Sequence, residues 1–288
     1  MVGGAAPMIG VAGGLVAALL WGVSTAVAAN ASRLLGPQVA LAWVYATGLV
    51  VAAAAAAATD PPEIDREGIG WTALAAFGGI SSLFLLYAAL RRGPVVLVTP
   101  VNAAQGGLAA LLAVALGERL HSLAAAGLGV MTLGMYAVLR RPAAVHATAH
   151  PTAAILLAAL SAALAALGLY AGARAGNALG AAWLLLVLRI AGVLAMMAPL
   201  AATGSLRGPG PALRLVVFCG LADTAALGGY LVGATRGSVA VTAVIASQYA
   251  AVSVLVGVAA MGERLTRIQV AGILAVLGGV GLVTAVQT

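Results

Sequence analysis

The chain has 288 residues, 63% hydrophobic and 7% charged, with a mean hydropathy of +1.13; soluble domains use roughly 45–50% apolar and 25% charged residues, so an integral membrane protein is expected. The net charge of +7 comes from 14 arginines and no lysine, which leaves a P-loop or a pyridoxal Schiff base without its essential residue and argues against ATP-driven transport by this chain alone. Because the arginines stand singly or in pairs between apolar runs, they read as interfacial anchors and topology signals, not as a nucleic-acid surface.

A membrane-spanning helix needs about 20 apolar residues. Ten such runs follow one another, at 8–29, 38–59, 69–90, 94–117, 122–139, 152–173, 180–201, 212–233, 238–261 and 267–286. The first lacks the basic flank of a signal peptide and is expected to be a true span. In lipid every backbone N–H and C=O must bond internally, which leaves helices or closed barrels, and runs without polar alternation exclude barrel strands. The expected fold is therefore an all-α membrane protein with ten transmembrane helices. Loops are short except Asp60 to Glu67, which is acidic, and Arg140 to Pro151, which carries His146 and His150. Glycine and alanine pairs such as Gly10/Gly14 and Ala271/Ala275/Gly279 favour dense packing. Cys219, the single cysteine, reads as a small buried hydrophobe.

Gly117-Glu118-Arg119-Leu120 returns as Gly262-Glu263-Arg264-Leu265, 145 residues later. Arg92-Gly93 and Arg236-Gly237 repeat at 144, Ala126-Gly127 and Ala271-Gly272 at 145, Arg33 and Arg174 at 141, and Trp43 and Trp183 at 140. Fixed-offset similarity marks a duplication. It divides the chain into residues 1–140, a linker at 141–151, and residues 152–288. Five spans per copy is odd, so the second copy enters the membrane from the opposite side. Inverted repeats of this kind are shared by many secondary transporters, which hold substrate near the midplane and alternate access by rocking.

The run from Tyr87 through Arg91-Arg92-Gly93, the mid-helix Pro100, Gly117-Glu118-Arg119-Leu120 and the glycine-rich fifth span resemble the EamA-type repeat of the drug/metabolite transporter superfamily. Tyr230 through Arg236-Gly237 to Gly262-Glu263-Arg264-Leu265 and Gly272 resemble it again. The resemblance implies a multi-pass transporter of a bacterial inner membrane, closest in character to exporters of aromatic and other amino acids, with a central cavity lined by spans one to four and six to nine. Two departures stand out. At the 140 offset the second span offers only Leu49 opposite Arg189, with Tyr45 and Thr47 nearby, and the first span lacks the glutamate through which the small multidrug pumps couple protons.

Candidate substrate-binding residues follow from polar chemistry inside the spans. Only Arg189 and Asp223 are ionisable there, and an intramembrane charge marks function by default at a cost of about 2.5–3.5 kcal/mol. They are read either as a structural ion pair or as contacts for the carboxylate and ammonium of a zwitterion. Asn102 and Gln105 lie three apart on one face after Pro100, and Gln248 and Tyr249 fall at similar depth in the ninth span; amides at such sites line cavities or act as interhelical glue. Trp21, deeper than the other tryptophans, shares a face with Ser24 and Thr25. Ser82 and Tyr87 lie on the third span, and Tyr230 lies seven residues after Asp223, on its face.

Trp43, Trp71 and Trp183 fit an interfacial belt. Glu118 and Glu263 sit too shallow for a central coupling acid and read as a tight connector or a gating salt bridge, while Thr266 with Gln269 suggests a capping box for the tenth span. His121, His146 and His150 are too scattered for a metal site. No paired carboxylates or nucleophile–base pair suit an enzyme, and neither catalytic residue, metal nor cofactor is expected. Loops after odd-numbered spans carry nine arginines and those after even-numbered spans four, so the positive-inside rule places both termini outside. The expected activity is export of neutral and aromatic amino acids or related metabolites by a monomer whose partners are substrate and lipid; the alternative is efflux of drugs or organic cations.

Overall fold

The structure, a computed structural model, describes residues 5–63, 65–119, 122–139, 151–261 and isolated positions between 267 and 282. The second Gly-Glu-Arg-Leu copy at 262–265, the Thr266/Gln269 pair, His121, His146 and His150 lie outside the described residues, as does most of the linker.

Helices are α1 (Ala5–Leu35), α2 (Pro37–Ala57), α3 (Arg66–Arg92), α4 (Val95–Ala115), α5 (Ser122–Leu139), α6 (Pro151–Leu179), α7 (Ala181–Ala202), α8 (Leu213–Arg236), α9 (Val239–Ser247) and α10 (Tyr249–Met261). Seven of them are long and apolar enough to cross a bilayer. Described positions from 267 to 282 are helical as well, and there a Cβ on Gly279 would lie 2.8 Å from Gly127 O of α5. The chain is an all-α membrane protein of ten spans in two inverted five-helix repeats.

The ninth expected span is broken. Val244 O, which would accept Gln248 N in a continuous helix, instead accepts Ser247 Oγ at 2.7 Å and Gln248 Nε2 at 3.0 Å. Gln248 N turns to Ile245 O at 3.1 Å, and α9 ends there. The interruption is a single residue: Gln248 keeps a right-handed helical φ of −65° and ψ of −4°, and Val252 N donates to its carbonyl at 3.2 Å, so α9 and α10 run on as one span.

Gly36 and Gly180 set the register of the repeats. Each precedes a helix (α2, α7) at φ 84° and φ 74°, a conformation open to glycine and strained for other residues. They lie 144 apart, as do Gly93 and Gly237, which end α3 and α8. The spacing corrects two sequence pairings: Trp43 and Trp183, at 140, and Arg33 and Arg174, at 141, are not equivalent positions.

Packing obeys the same relation. α1 packs on α8 and α3 on α6, pairs that exchange when each span moves to its counterpart; α2 packs on α7, and α4 on α9. The chain thus has a pseudo-two-fold axis. Where α3 crosses α6, a Cβ on Gly78 or Gly168 would come within 2.7 Å of the facing backbone, so only glycine permits this approach.

Glu118 ties the copies together at one end. Its Oε1 accepts from Ser238 Oγ and, at 3.4 Å, from Ala240 N, while Ser238 Oγ accepts from Val241 N at 3.1 Å. An acid after α4 therefore caps α9, its counterpart in the other copy. The motif also turns locally, as a connector does, with Gly117 N donating to Val114 O at 3.1 Å and Glu118 N to Ala113 O at 2.9 Å; no salt bridge of Glu118 is found among the described residues.

Candidate functional site

A cavity of about 130 Å³ lies between the repeats, close to the 150 Å³ that admits benzene in an engineered apolar cavity. Twenty-two of its lining residues form eleven pairs separated by 144, among them Trp21/Ala165, Tyr45/Arg189, Gly79/Asp223, Leu86/Tyr230 and Gln105/Tyr249. The pseudo-two-fold axis therefore passes through the cavity. Its backbone frame is symmetric and its charge is not.

At the charged pole Arg189 Nη1 donates to Asp223 Oδ2 at 2.7 Å, with side-chain exposures of 1% and 15%. Trp21 Nε1, from α1, donates to Asp223 Oδ1 at 2.9 Å. The guanidinium carbon stands 5.4 Å from the Tyr45 ring centroid, within cation–π range. Arg189 Nε and Nη2 are buried without a protein partner. Tyr45 is thus the second-span counterpart of Arg189, and the sequence pairing with Leu49 is corrected by the 144 register.

Trp21 packs on Tyr230 with centroids 6.3 Å apart, and Tyr230 Oη donates to Leu169 O at 3.2 Å. The seven-residue spacing does place Tyr230 beside Asp223's partner. Ser24 Oγ donates to Trp21 O at 3.3 Å, and Cys219 Sγ to Ser24 O at 3.6 Å. On the opposite wall, Ser161 Oγ donates to Ser82 O at 2.8 Å and lies 3.1 Å from Ser82 Oγ, which joins α6 to α3.

At the amide pole Asn102 Nδ2 donates to Tyr249 Oη at 2.7 Å, while buried Asn102 Oδ1 has no protein partner. Gln105 lines the cavity beside them. Of the ten sequence candidates, Trp21, Ser24, Ser82, Asn102, Gln105, Arg189, Asp223, Tyr230 and Tyr249 line this cavity; Gln248 does not. Gln248 is buried at the helix break, its Oε1 unpartnered.

Four further polar lining residues escaped as site residues: Tyr45, Tyr87, Cys219 and Thr25. Tyr45 was obscured by the wrong register, and the glycine spacing was the signal that would have found it. Cys219 lines the cavity although it is 1% exposed. Thr25 lines it next to Ser24. Of the three tryptophans expected in an interfacial belt, Trp43 Nε1 donates to Arg207 O at 2.9 Å and Trp71 Nε1 to Glu67 Oε1 at 3.0 Å, both in exposed settings, whereas Trp183 Nε1 is buried.

Two inverted five-helix copies enclosing, on their common axis, a mostly apolar cavity with a charged pair in its wall define a multi-pass membrane transporter of small molecules. The chain belongs to the EamA-like transporter family, which matches residues 8–140 and again 152–285. No curated protein matches the chain. A solved structure titled only "Crystal structure of protein" shares the fold, with a TM-score of 0.76 at 20% identity over 98% of this chain and 97% of that one.

Proposed function

We propose that the protein exports amino acids, neutral and aromatic, or closely related zwitterionic metabolites, by alternating access through this cavity. The carrying observation is the Arg189–Asp223 pair at the cavity wall. Arg189 has two further donors, Nε and Nη2, without a protein partner, and guanidinium donors suit a carboxylate. Asp223, the more exposed partner, suits an ammonium group. Asn102 Oδ1, which lacks a partner, supplies a further acceptor across the cavity. Trp21, Tyr45, Tyr87 and Tyr230 surround the space with rings and favour apolar or aromatic side chains.

Both charges come from the second copy, and their counterparts Tyr45 and Gly79 are neutral. A zwitterion consequently has one preferred orientation in an otherwise two-fold frame. All of the cavity's lining residues come from one chain, which supports action as a monomer. Helical spans, not barrel strands, support residence in an inner membrane.

Efflux of organic cations is the second reading, favoured by the carboxylate of Asp223 beside the Trp21 and Tyr230 rings. Arg189 counts against it, since it neutralises the acid at 2.7 Å. Flux from proteoliposomes loaded with labelled amino acids or with cationic dyes separates the two. Movement of neutral amino acids that competes with their unlabelled forms is expected; movement of dyes alone overturns the amino-acid reading.

A further inference from the structure

The described charges divide sharply between the two ends of the bundle. At the end where α2, α4, α6 and α8 begin, Arg33, Arg91, Arg92, Arg207, Arg214 and Arg267 are described and no described acid accompanies them. The other end holds five acids, Asp60, Glu63, Asp65, Glu67 and Glu118, against four arginines. Among the described residues the net positive charge therefore sits at one membrane interface.

A cleft of about 470 Å³ opens at the basic end, between the α1–α2 turn, the end of α3, the start of α6 and the end of α7. Its deeper walls are Phe84, Leu85, Leu157 and Leu200, and Arg91 and Arg92 stand at its rim. Both arginines are exposed, and neither forms an ion pair among the described residues. Arg91 Nη1 reaches over the turn to within 3.6 Å of where a Cβ on Gly36 would lie. Arg92 Nη1 donates to Ala88 O at 3.1 Å, and its other donors have no partner among the described residues.

We propose that this cleft is a binding site for an anionic phospholipid, with the phosphodiester between Arg91 and Arg92 and the upper acyl carbons against Phe84 and Leu157. The depth of the molecule supports this occupant. The arginines sit at the ends of spans, at headgroup level, and the apolar wall continues from them toward the hydrocarbon. Paired guanidinium groups recognise phosphate oxygens, and basic pockets between spans hold anionic headgroups. A soluble anion would leave the apolar part of the cleft unfilled. The cleft lies between the α1–α2 turn and the end of α7 on one side and α3 and α6 on the other, and it shares no lining residue with the central cavity, so this inference stands apart from the substrate reading.

Native mass spectrometry of the full chain in detergent tests it, with phosphatidylglycerol, phosphatidylcholine of the same acyl chains, and inorganic phosphate as probes. Phosphatidylglycerol is expected to bind in preference to phosphatidylcholine. In R91A/R92A its affinity should fall about thirtyfold, which corresponds to about 1 kcal/mol per arginine, and R91K/R92K should keep most of it. Equal binding of the two lipids, or unchanged phosphatidylglycerol affinity in R91A/R92A, overturns the proposal. Displacement of phosphatidylglycerol by equimolar inorganic phosphate also overturns it and leaves a simple anion site. Should R91A/R92A fail to fold, the lipid preference of the unaltered chain and the lysine variant decide the question.

Discussion

Arg189 and Asp223 meet at 2.7 Å across α7 and α8, and the two partners differ in access: the guanidinium is 1% exposed and the carboxylate 15%. Both line the cavity, and the base also stacks on the Tyr45 ring. Removing one partner of such a buried pair strands the other charge at a cost of about 3–5 kcal/mol, whereas removing both can be nearly neutral. Arg189→Met should therefore lower the Tm in detergent markedly, and Arg189→Met with Asp223→Leu should recover most of it. Neither variant should transport amino acids. Recovery of flux in the double variant would show that the pair serves stability alone.

Trp21→Phe keeps a ring against Tyr230 and removes only the donor to Asp223 Oδ1. Hydrogen bonds to charged groups contribute about 1.5–3 kcal/mol, so KM for the transported amino acid should rise by roughly tenfold or more. The same bond holds α1 to α8 in the empty protein, so the Tm should fall by a few degrees as well. Concentration-dependent flux in proteoliposomes measures the first and thermal unfolding the second; a lower Tm with unchanged KM would make Trp21 a packing residue.

Gln105→Ala removes a cavity-facing amide for which no hydrogen-bond partner is found among the described residues. Flux should fall severalfold with the Tm unchanged. Gln248→Ala acts elsewhere, because Gln248 is outside the cavity and holds the break between α9 and α10 through Val244 O. Its main effect should be on stability. Parallel flux and unfolding measurements distinguish the two amides, and a drop in Tm for Gln105→Ala equal to its effect on flux would remove it from the substrate site.

Cys219 is the single thiol in the chain and lines the cavity. A small thiol reagent should label it slowly, and a transported amino acid should slow the labelling further. Mass spectrometry of the intact protein follows the reaction. Labelling at the same rate with saturating substrate would place the substrate away from the α1–α8 wall.

Glu118→Ala leaves the start of α9 without its cross-repeat cap. Loss of a capping interaction costs about 1 kcal/mol, so a fall of a few degrees in Tm is expected. The KM should stay the same, since the contact lies at the end of the bundle and not in the cavity. A large change in KM with little change in Tm would make this contact part of the gate.

Much of the site was legible from composition alone. Arg189 and Asp223 stood out because intramembrane charge is rare and expensive, and their face carried Tyr230 with it. The partner of the acid was not legible: Trp21 lies 202 residues from Asp223, and its indole reaches the carboxylate only because α1 packs on α8. The broken ninth span was equally hidden, since Val239 to Met261 is one apolar run. Which hydrogen bond wins at Val244 O depends on how Ser247 and Gln248 orient in the packed bundle.

The sequence by itself determined ten helical spans, the duplication and the inversion, because the cost of burying unbonded backbone in lipid leaves no other secondary structure and an odd number of spans forces the second copy to turn over. Only the tertiary structure decided the register of 144. Two glycines at positive φ, together with the glycines that end α3 and α8, fix it, whereas scattered pairs of tryptophans and arginines blur it. That register sets Tyr45 against Arg189 and Gly79 opposite Asp223, so a two-fold frame carries a one-sided charge. The asymmetry arises from packing two diverged copies around one axis, and no single stretch of either copy contains it.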